Sequence, residues 1–254
     1  MTPYGGHLGP MATDGLRKAG VFVSTVEGQN VLIFTAGEWV EEASIKPLIA
    51  NSDFIVACDG ALQSCVKHAI QPDLVIGDFD SVPDNVLNAC VEAGGLTQHV
   101  GDQSQNDLAK ALRWIGSARP MSCTVIGATG GDPQQEWANM LTCAAQDFDI
   151  TCLGKSVCYR FMLPGVQYSI DIEKGVEFSL FALPEARNIQ LNGAMFELNG
   201  GVLNMGSEGL HNVAKADRLS INFESGRLVL LQTRPDLTGG ETVSYTHLRA
   251  HETY

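Results

Sequence analysis

The chain has 254 residues, 44% of them hydrophobic, which suffices for one large domain or two ordinary ones with buried cores. Its formal charge of −13 argues against a nucleic-acid backbone or an anionic membrane as partner, although a metal ion can still bridge acidic protein and acidic phosphate. There is no apolar run long enough to cross a bilayer, and the first residues lack the basic start and apolar core of a secretory signal.

In chain order, "NVLIFTAG" (30–37) predicts a strand ending in Gly37, and "EEASIKPLIANS" a helix despite Pro47. "DFIVACDG" (53–60) is a second apolar run, with "ALQSCVKHAI" as the helix after it. "PDLVIGDFDS" (72–81) is a third, followed by a helical "PDNVLNACVEAG" with Pro83 near its start. "LTQHVGDQSQ" gives a weaker fourth strand, and "NDLAKALRWIG" (106–116) has helical spacing. "MSCTVIGATGG" (121–131) is the fifth strand, and "QEWANMLTCAAQDF" (135–148) the next helix. Near-continuous apolar strands alternating with helices imply an open parallel, Rossmann-like sheet with helices on both faces, placed at 28–150. After about residue 150 come short β-patterns: "SVCYRFML", "VQYSIDIE", "VEFSLFAL", "RLSINFE" and "RLVLLQT". They predict an all-β sandwich or barrel at 151–235. Residues 1–27 and 236–254 are expected to be disordered, and "VSYTHLRAHETY" reads as translated sequencing adaptor at the end of a gene model. Seven cysteines, odd in number and without a C-x-x-C, predict reduced thiols and a cytoplasmic protein.

The acids fall in a pattern. Asp59 ends the second predicted strand, and Asp78 and Asp80 end the third. "GDQSQND", closing on Asp107, follows the fourth. In a parallel sheet these all lie on the carboxyl edge, where ligands bind. An Asp-x-Asp pair on an extended chain would set two like charges about 7 Å apart on one side. Acids gathered this way repel one another, and a Mg²⁺ ion with oxygen ligands is the simplest remedy. Lys110 lies one helical turn after Asn106 and Asp107 and could meet a phosphate oxygen, or simply be a solvated helix lysine. Gly130-Gly131 could let a phosphate approach the backbone, but neither a P-loop nor a G-x-G-x-x-G is present.

"ACDGA" (57–61), "PDLVIGDFDS" and "DQSQNDLAKA" (102–111) together resemble the thiamine pyrophosphokinase family, with the motifs in order over about residues 30 to 233. The resemblance implies transfer of a pyrophosphoryl group from ATP to the hydroxyl of thiamine, a need for Mg²⁺, and a homodimer with its active site between subunits. It implies that Asp59, Asp78, Asp80 and Asp107 hold the metal and orient the hydroxyl. Gln103 and Asn106 would contact substrate or phosphates, Lys110 would neutralise phosphate, and Gly37, Gly130, Gly131 and Asn139 would lie near the nucleotide. In the β-rich part, Phe196 would stack on thiamine, with His211 and Asn212 where the family usually has Ser-Asn. Phe196 would otherwise be a core residue of the β unit. One stretch departs from the family: "GGDPQQEW" (130–137) stands where Gly-Gly-Arg-x-Asp-His is usual, so Asp132 replaces an expected Arg. That departure leaves open a weakly active or inactive thiamine- or nucleotide-binding protein of the same fold. A pyrophosphokinase acting on another alcohol, such as a pterin, is the further alternative.

Overall fold

Side chains alternate across a strand, so a strand that is apolar at every position needs cover on both faces. In β1 (Asn30–Phe34), Val31 and Ile33 join one buried cluster, whereas Leu32 and Phe34 join another. The computed structural model, which describes residues 26–234, supplies both covers. Expectations for 1–25 and 235–254, the adaptor-like tail among them, lie outside the described residues.

The parallel half contains β2 (Phe54–Cys58), β3 (Leu74–Gly77), β4 (Leu96–His99), β5 (Ser122–Ile126) and β6 (Ile150–Leu153) besides β1, in the order β4-β3-β2-β1-β5-β6. All five neighbouring pairs are parallel. Helices α1 (Glu42–Ala50) and α2 (Leu62–Lys67) cover the Leu32 face through Ile45 and Cys65. Helix α3 (Asp84–Glu92) extends that layer, with Cys90 packed against Leu62 and Val75. Helices α4 (Asp107–Gly116) and α5 (Pro133–Ala144) cover the opposite face, setting Leu108, Leu112, Ile115, Met140 and Cys143 against Ile33, Val56 and Val125. A side chain such as Leu112, fully buried here, contributes about 1.5–3 kcal/mol by leaving water.

Helix α5 begins two residues earlier and ends four earlier than its sequence pattern suggests. Asp132 caps it by accepting from the Gln134 N–H at 2.8 Å, and Pro133, with no N–H to lose, sits in the first turn.

The chain runs outward from β1 to β4, then returns to place β5 on the other side of β1. That reversal is a topological switch point, where loops after neighbouring strands diverge and leave a crevice at the carboxyl edge.

The change of architecture near residue 150 falls within the sheet. β6 pairs parallel with β5 on one side and antiparallel with β7 (Val157–Met162) on the other. Beyond it run β13 (Ser225–Thr233), β9 (Glu177–Asn192), β12 (Arg218–Asn222) and β8 (Tyr168–Asp171), all antiparallel. β10 (Leu198–Asn204) and β11 (Asn212–Val213) pair with the long β9. These strands have their own core of Phe178, Leu180, Leu191, Leu219, Ile221 and Leu230. The fold is therefore mixed α/β with one large sheet, parallel in its first half.

All seven cysteines are free and buried, as their placement in apolar patterns predicts. No helix among the described residues is long and apolar enough to cross a membrane.

Candidate active site

The loops at the switch point are drawn together by backbone. The Gly37 N–H donates to the Gly127 carbonyl and the Glu38 N–H to the Thr129 carbonyl, both at 2.9 Å. A side chain at Gly37 would drive its first carbon into those carbonyls, 2.7 Å from that of Thr129. Gly37 thus closes the loop after β1 onto the loop after β5. The two loops form one wall of a cleft of about 540 Å³, whose other walls come from the ends of β2 and β3 and the start of α4.

Asp59 opens a short 3-10 turn (Asp59–Ala61) directly after β2 and is only 2% exposed. Its two oxygens accept from the Gly60 N–H at 2.5 Å and the Phe79 N–H at 2.9 Å. Phe79 can donate because it sits at φ 63, a left-handed turn between Asp78 and Asp80. Gly77 lets this turn approach, since an added Cβ there would lie 2.5 Å from the Asp59 Cγ. The extended spacing expected for Asp78 and Asp80 is therefore replaced by a tight bend. β3 stops at Gly77, and the Asp80 N–H donates back to Asp78 Oδ1 at 3.4 Å. Each of Asp59, Asp78 and Asp80 offers one oxygen, and the three lie within 4.8 Å of one another.

Asp107, the fourth predicted acid, opens α4 beside this trio but outside it. It binds Lys110 Nζ at 2.9 Å, and the same ammonium reaches Asp78 Oδ2 at 3.5 Å. Lys110 is only 5% exposed, so it is a buried counter-charge and the reading of a solvated helix lysine fails. Its burial disfavours the ammonium, but the bond to Asp107 and the charges of Asp107 and Asp78 outweigh that and raise its pKa.

Electrostatics sets the acids apart. Burial, followed by the hydrogen bond and charge of Asp107, pushes Asp59 up to about 6. Burial also works against Asp78, but the Asp80 N–H, Lys110 and Gln103 outweigh it and hold that carboxyl below its usual value. Asp80 is raised, chiefly by its hydrogen bond with Asp78 and by the charge on Asp78. Close carboxylates cannot all ionise at equal cost, so their pKa values are driven apart.

The remaining predicted residues divide into two groups. Gln103 donates to Asp78 Oδ2 at 3.0 Å. Asn106 caps α4, accepting from the Ala109 N–H at 3.0 Å, and donates to Asn139 Oδ1 at 2.8 Å. Asn139 in turn donates to the Ala128 carbonyl at 3.0 Å, tying α4, α5 and the β5 loop into one frame. Gly37, Gly130 and Gly131 line the cleft with them. Phe196, His211 and Asn212 do not. They lie in the antiparallel half, Phe196 between β9 and β10, His211 just before β11 and Asn212 at its start, and Asn212 brackets Phe196 by accepting from its N–H at 3.0 Å and donating to its carbonyl at 2.8 Å. Phe196 is 69% exposed, so it is not a core residue of this chain.

Sequence reading passed over Glu136, Gln135 and Gln105, which also line the cleft. Glu136 accepts from the Gly130 N–H at 2.9 Å, and Gln135 accepts from Asn106 at 3.2 Å. For Gln135 and Glu136 the only signal in the sequence is their place in the first turn of a helix that opens on a glycine loop, and Gln105 carries none beyond its place before α4.

Comparison with known proteins fits this geometry. Residues 45–152 match the family model described as thiamin pyrophosphokinase, catalytic domain. Residues 45–152 thus match the catalytic domain of the thiamin pyrophosphokinase family. The matched span runs from within α1 to within β6 and so includes all four aspartates and Lys110. Among solved structures, the fold is similar to thiamine pyrophosphokinase from Bacillus subtilis, at 20% identity and TM-score 0.67, covering 80% of this chain and 98% of that one. It is also similar to thiamin pyrophosphokinase from Candida albicans, at 14% identity and TM-score 0.64, covering 81% and 90%. The yeast thiamin pyrophosphokinase structure has TM-score 0.63 at 11% identity, covering 82% and 87%. No curated protein sequence matches.

Proposed function

We propose that the cleft transfers a pyrophosphoryl group from ATP to the hydroxyl of thiamine, giving thiamine diphosphate and AMP. The observation that carries this is the convergence of Asp59, Asp78 and Asp80 beside a buried lysine, inside the span that matches the family model.

The donor set fits Mg²⁺. It is all oxygen, it converges on one point, and its acids are held in unfavourable proximity by backbone N–H groups. Asp59, Asp78 and Asp80 would hold the ion, which when bound would neutralise phosphate charge and align the transferring group. Asp107 stands outside this trio, and one of its oxygens is already bound to Lys110.

The residues' own work is positioning. The thiamine hydroxyl attacks the β-phosphorus of ATP in line, its oxygen forming the new P–O bond as AMP leaves, and an aspartate accepts the hydroxyl proton. Lys110 offsets charge on the transferring group, while the Asn106–Asn139 frame fixes α4 against the Gly130 loop. Little covalent chemistry falls to the protein in such transfers, so the rate comes from orientation and electrostatic stabilisation.

The antiparallel unit, 151–235, is read as the thiamine-binding and dimerising part, and 28–150 as the catalytic part. Phe196, His211 and Asn212 lie outside the cleft of their own chain, which supports a site completed by a second subunit. Seven reduced cysteines support a cytoplasmic location.

The decisive assay incubates the protein with thiamine, ATP and Mg²⁺ and measures AMP. AMP appearing only with thiamine is expected, and thiamine binding without AMP would favour the inactive-binder reading instead. Asp78→Asn and Asp80→Asn should each lower turnover by several orders of magnitude, and near-normal turnover in either would refute the metal assignment.

A further inference from the structure

The Gly130 loop and the start of α5 have the form of an anion site. Gly130 and Gly131 both take positive φ, 77 and 79, and turn the chain into a helix whose N-terminus favours negative charge. Two of the amide donors there are already taken by the chain's own carboxylates. The Gly130 N–H donates to Glu136 Oε2 at 2.9 Å, and the Gln134 N–H to Asp132 Oδ1 at 2.8 Å. The Asp132 contact is an ordinary helix cap. The Glu136 contact is different, because it reaches back from inside the helix across the cleft-facing turn.

We propose that Glu136 is an internal anion of the nucleotide pocket, holding the Gly130 amide that a phosphate oxygen would otherwise use, so that a polyphosphate binds by displacing it. The proposal rests on the phosphoryl-transfer reading above and names a residue that sets nucleotide affinity in this chain. Charge decides the cost of the exchange. Lys110 is the single cation among the cleft-lining residues, and it already serves Asp107 and Asp78. A displaced Glu136 carboxylate therefore faces an incoming anion with no free basic side chain lining the cleft to receive it. A hydrogen bond from an amide to a carboxylate is among the stronger ones, so its loss weighs on binding.

The test uses the full chain with Glu136→Gln and Glu136→Ala. Glutamine keeps the shape and can still accept from Gly130, but carries no charge. Alanine frees the amide. Binding of Mg²⁺-tripolyphosphate and of Mg²⁺ with α,β-methylene-ATP is measured by calorimetry at low and high salt, alongside AMP release. Glu136→Gln should bind both probes about tenfold more tightly at low salt, equivalent to about 1.4 kcal/mol. The gain should shrink at high salt as the charge is screened, and should fall in KM for ATP more than in kcat. Equal or weaker binding by Glu136→Gln, or no polyphosphate binding by any form, overturns the proposal. If Glu136→Ala binds less tightly while Glu136→Gln binds more tightly, the charge exchange stands and the side chain also shapes the loop. Thiamine-dependent AMP with an unchanged KM sinks the exchange and leaves the transfer reading. Tighter polyphosphate binding without any AMP does the reverse.

Discussion

Asp59 makes a prediction whose sign is opposite to that of most carboxylates. Its carboxyl is buried and faces Asp107, which raises it from the usual 3.8 to about 6. A group whose pKa is higher in the folded state binds its proton more tightly there than in the unfolded chain. Its contribution to stability is fully present below about pH 3.8 and is lost as pH rises through about 6. At about 1.36 kcal/mol for each pH unit between the two values, the loss comes to roughly 3 kcal/mol. Asp80 is raised as well, whereas Asp78 is lowered, with the opposite sign and a window below about pH 3.8, so the measurement must be a difference. Urea unfolding of wild type and Asp59→Asn is followed from about pH 4 to about pH 7 without divalent ions. Stability of the wild type should fall relative to Asp59→Asn across that range by a few kcal/mol. Asp107→Asn should remove much of the same slope, because Asp107 is the second cause of the shift. Parallel stability curves for wild type and Asp59→Asn would refute the claim that the site holds this acid at a cost.

Two further substitutions probe how the cluster is held. Gly77→Ala places a methyl 2.5 Å from the Asp59 Cγ, so it should displace that carboxylate, destabilise by about 1–3 kcal/mol and abolish thiamine-dependent AMP release. Wild-type stability and turnover in that variant would show that the turn relaxes freely. Lys110→Met removes the buried counter-charge from Asp107 and Asp78, which are only 32% and 18% exposed. Breaking a fully buried pair costs about 3–5 kcal/mol, and partial solvation of these acids lowers the expectation to about 1–3 kcal/mol in urea unfolding, partly restored by Mg²⁺. An unchanged midpoint would mean that Lys110 balances nothing.

The parallel half was legible because its signal is local. Strands buried on both faces read as unbroken apolar runs, and the helices between them carry 3.6-residue periodicity. Placing Asp59, Asp78 and Asp107 on one edge required only the rule that parallel strands share a carboxyl end. What stayed hidden depends on the third dimension. The bend that brings Asp78 and Asp80 together follows from Phe79 adopting a left-handed turn, which no propensity favours for phenylalanine. β10 escaped notice because "LNGGVLN" carries two glycines and exposed alternate positions. The sequence pattern changes near residue 150, yet β6 serves both halves, and pairing partners are not written in a strand's own residues. Phe196 and Asn212 are sixteen residues apart and meet only through hydrogen bonds that hold the phenylalanine outward.

The geometry also shows what holds acids this close together. Two acids of the trio are held by donors from their own and neighbouring loops: Asp59 by the Gly60 and Phe79 amides, and Asp78 by the Asp80 amide, Gln103 and Lys110. These bonds do not cancel the repulsion, as the raised Asp59 and Asp80 show, but they fix where it acts. A cation that relieved it would recover part of the energy spent on that convergence. Glu136 carries the same logic to the nucleotide side. There a carboxylate stands where an anion belongs, so the substrate's phosphates gain only the difference between their own bond to Gly130 and the one they replace. One pocket thus has its cation side left short of charge and its anion side filled, and Mg²⁺ and polyphosphate should bind it with strong mutual dependence.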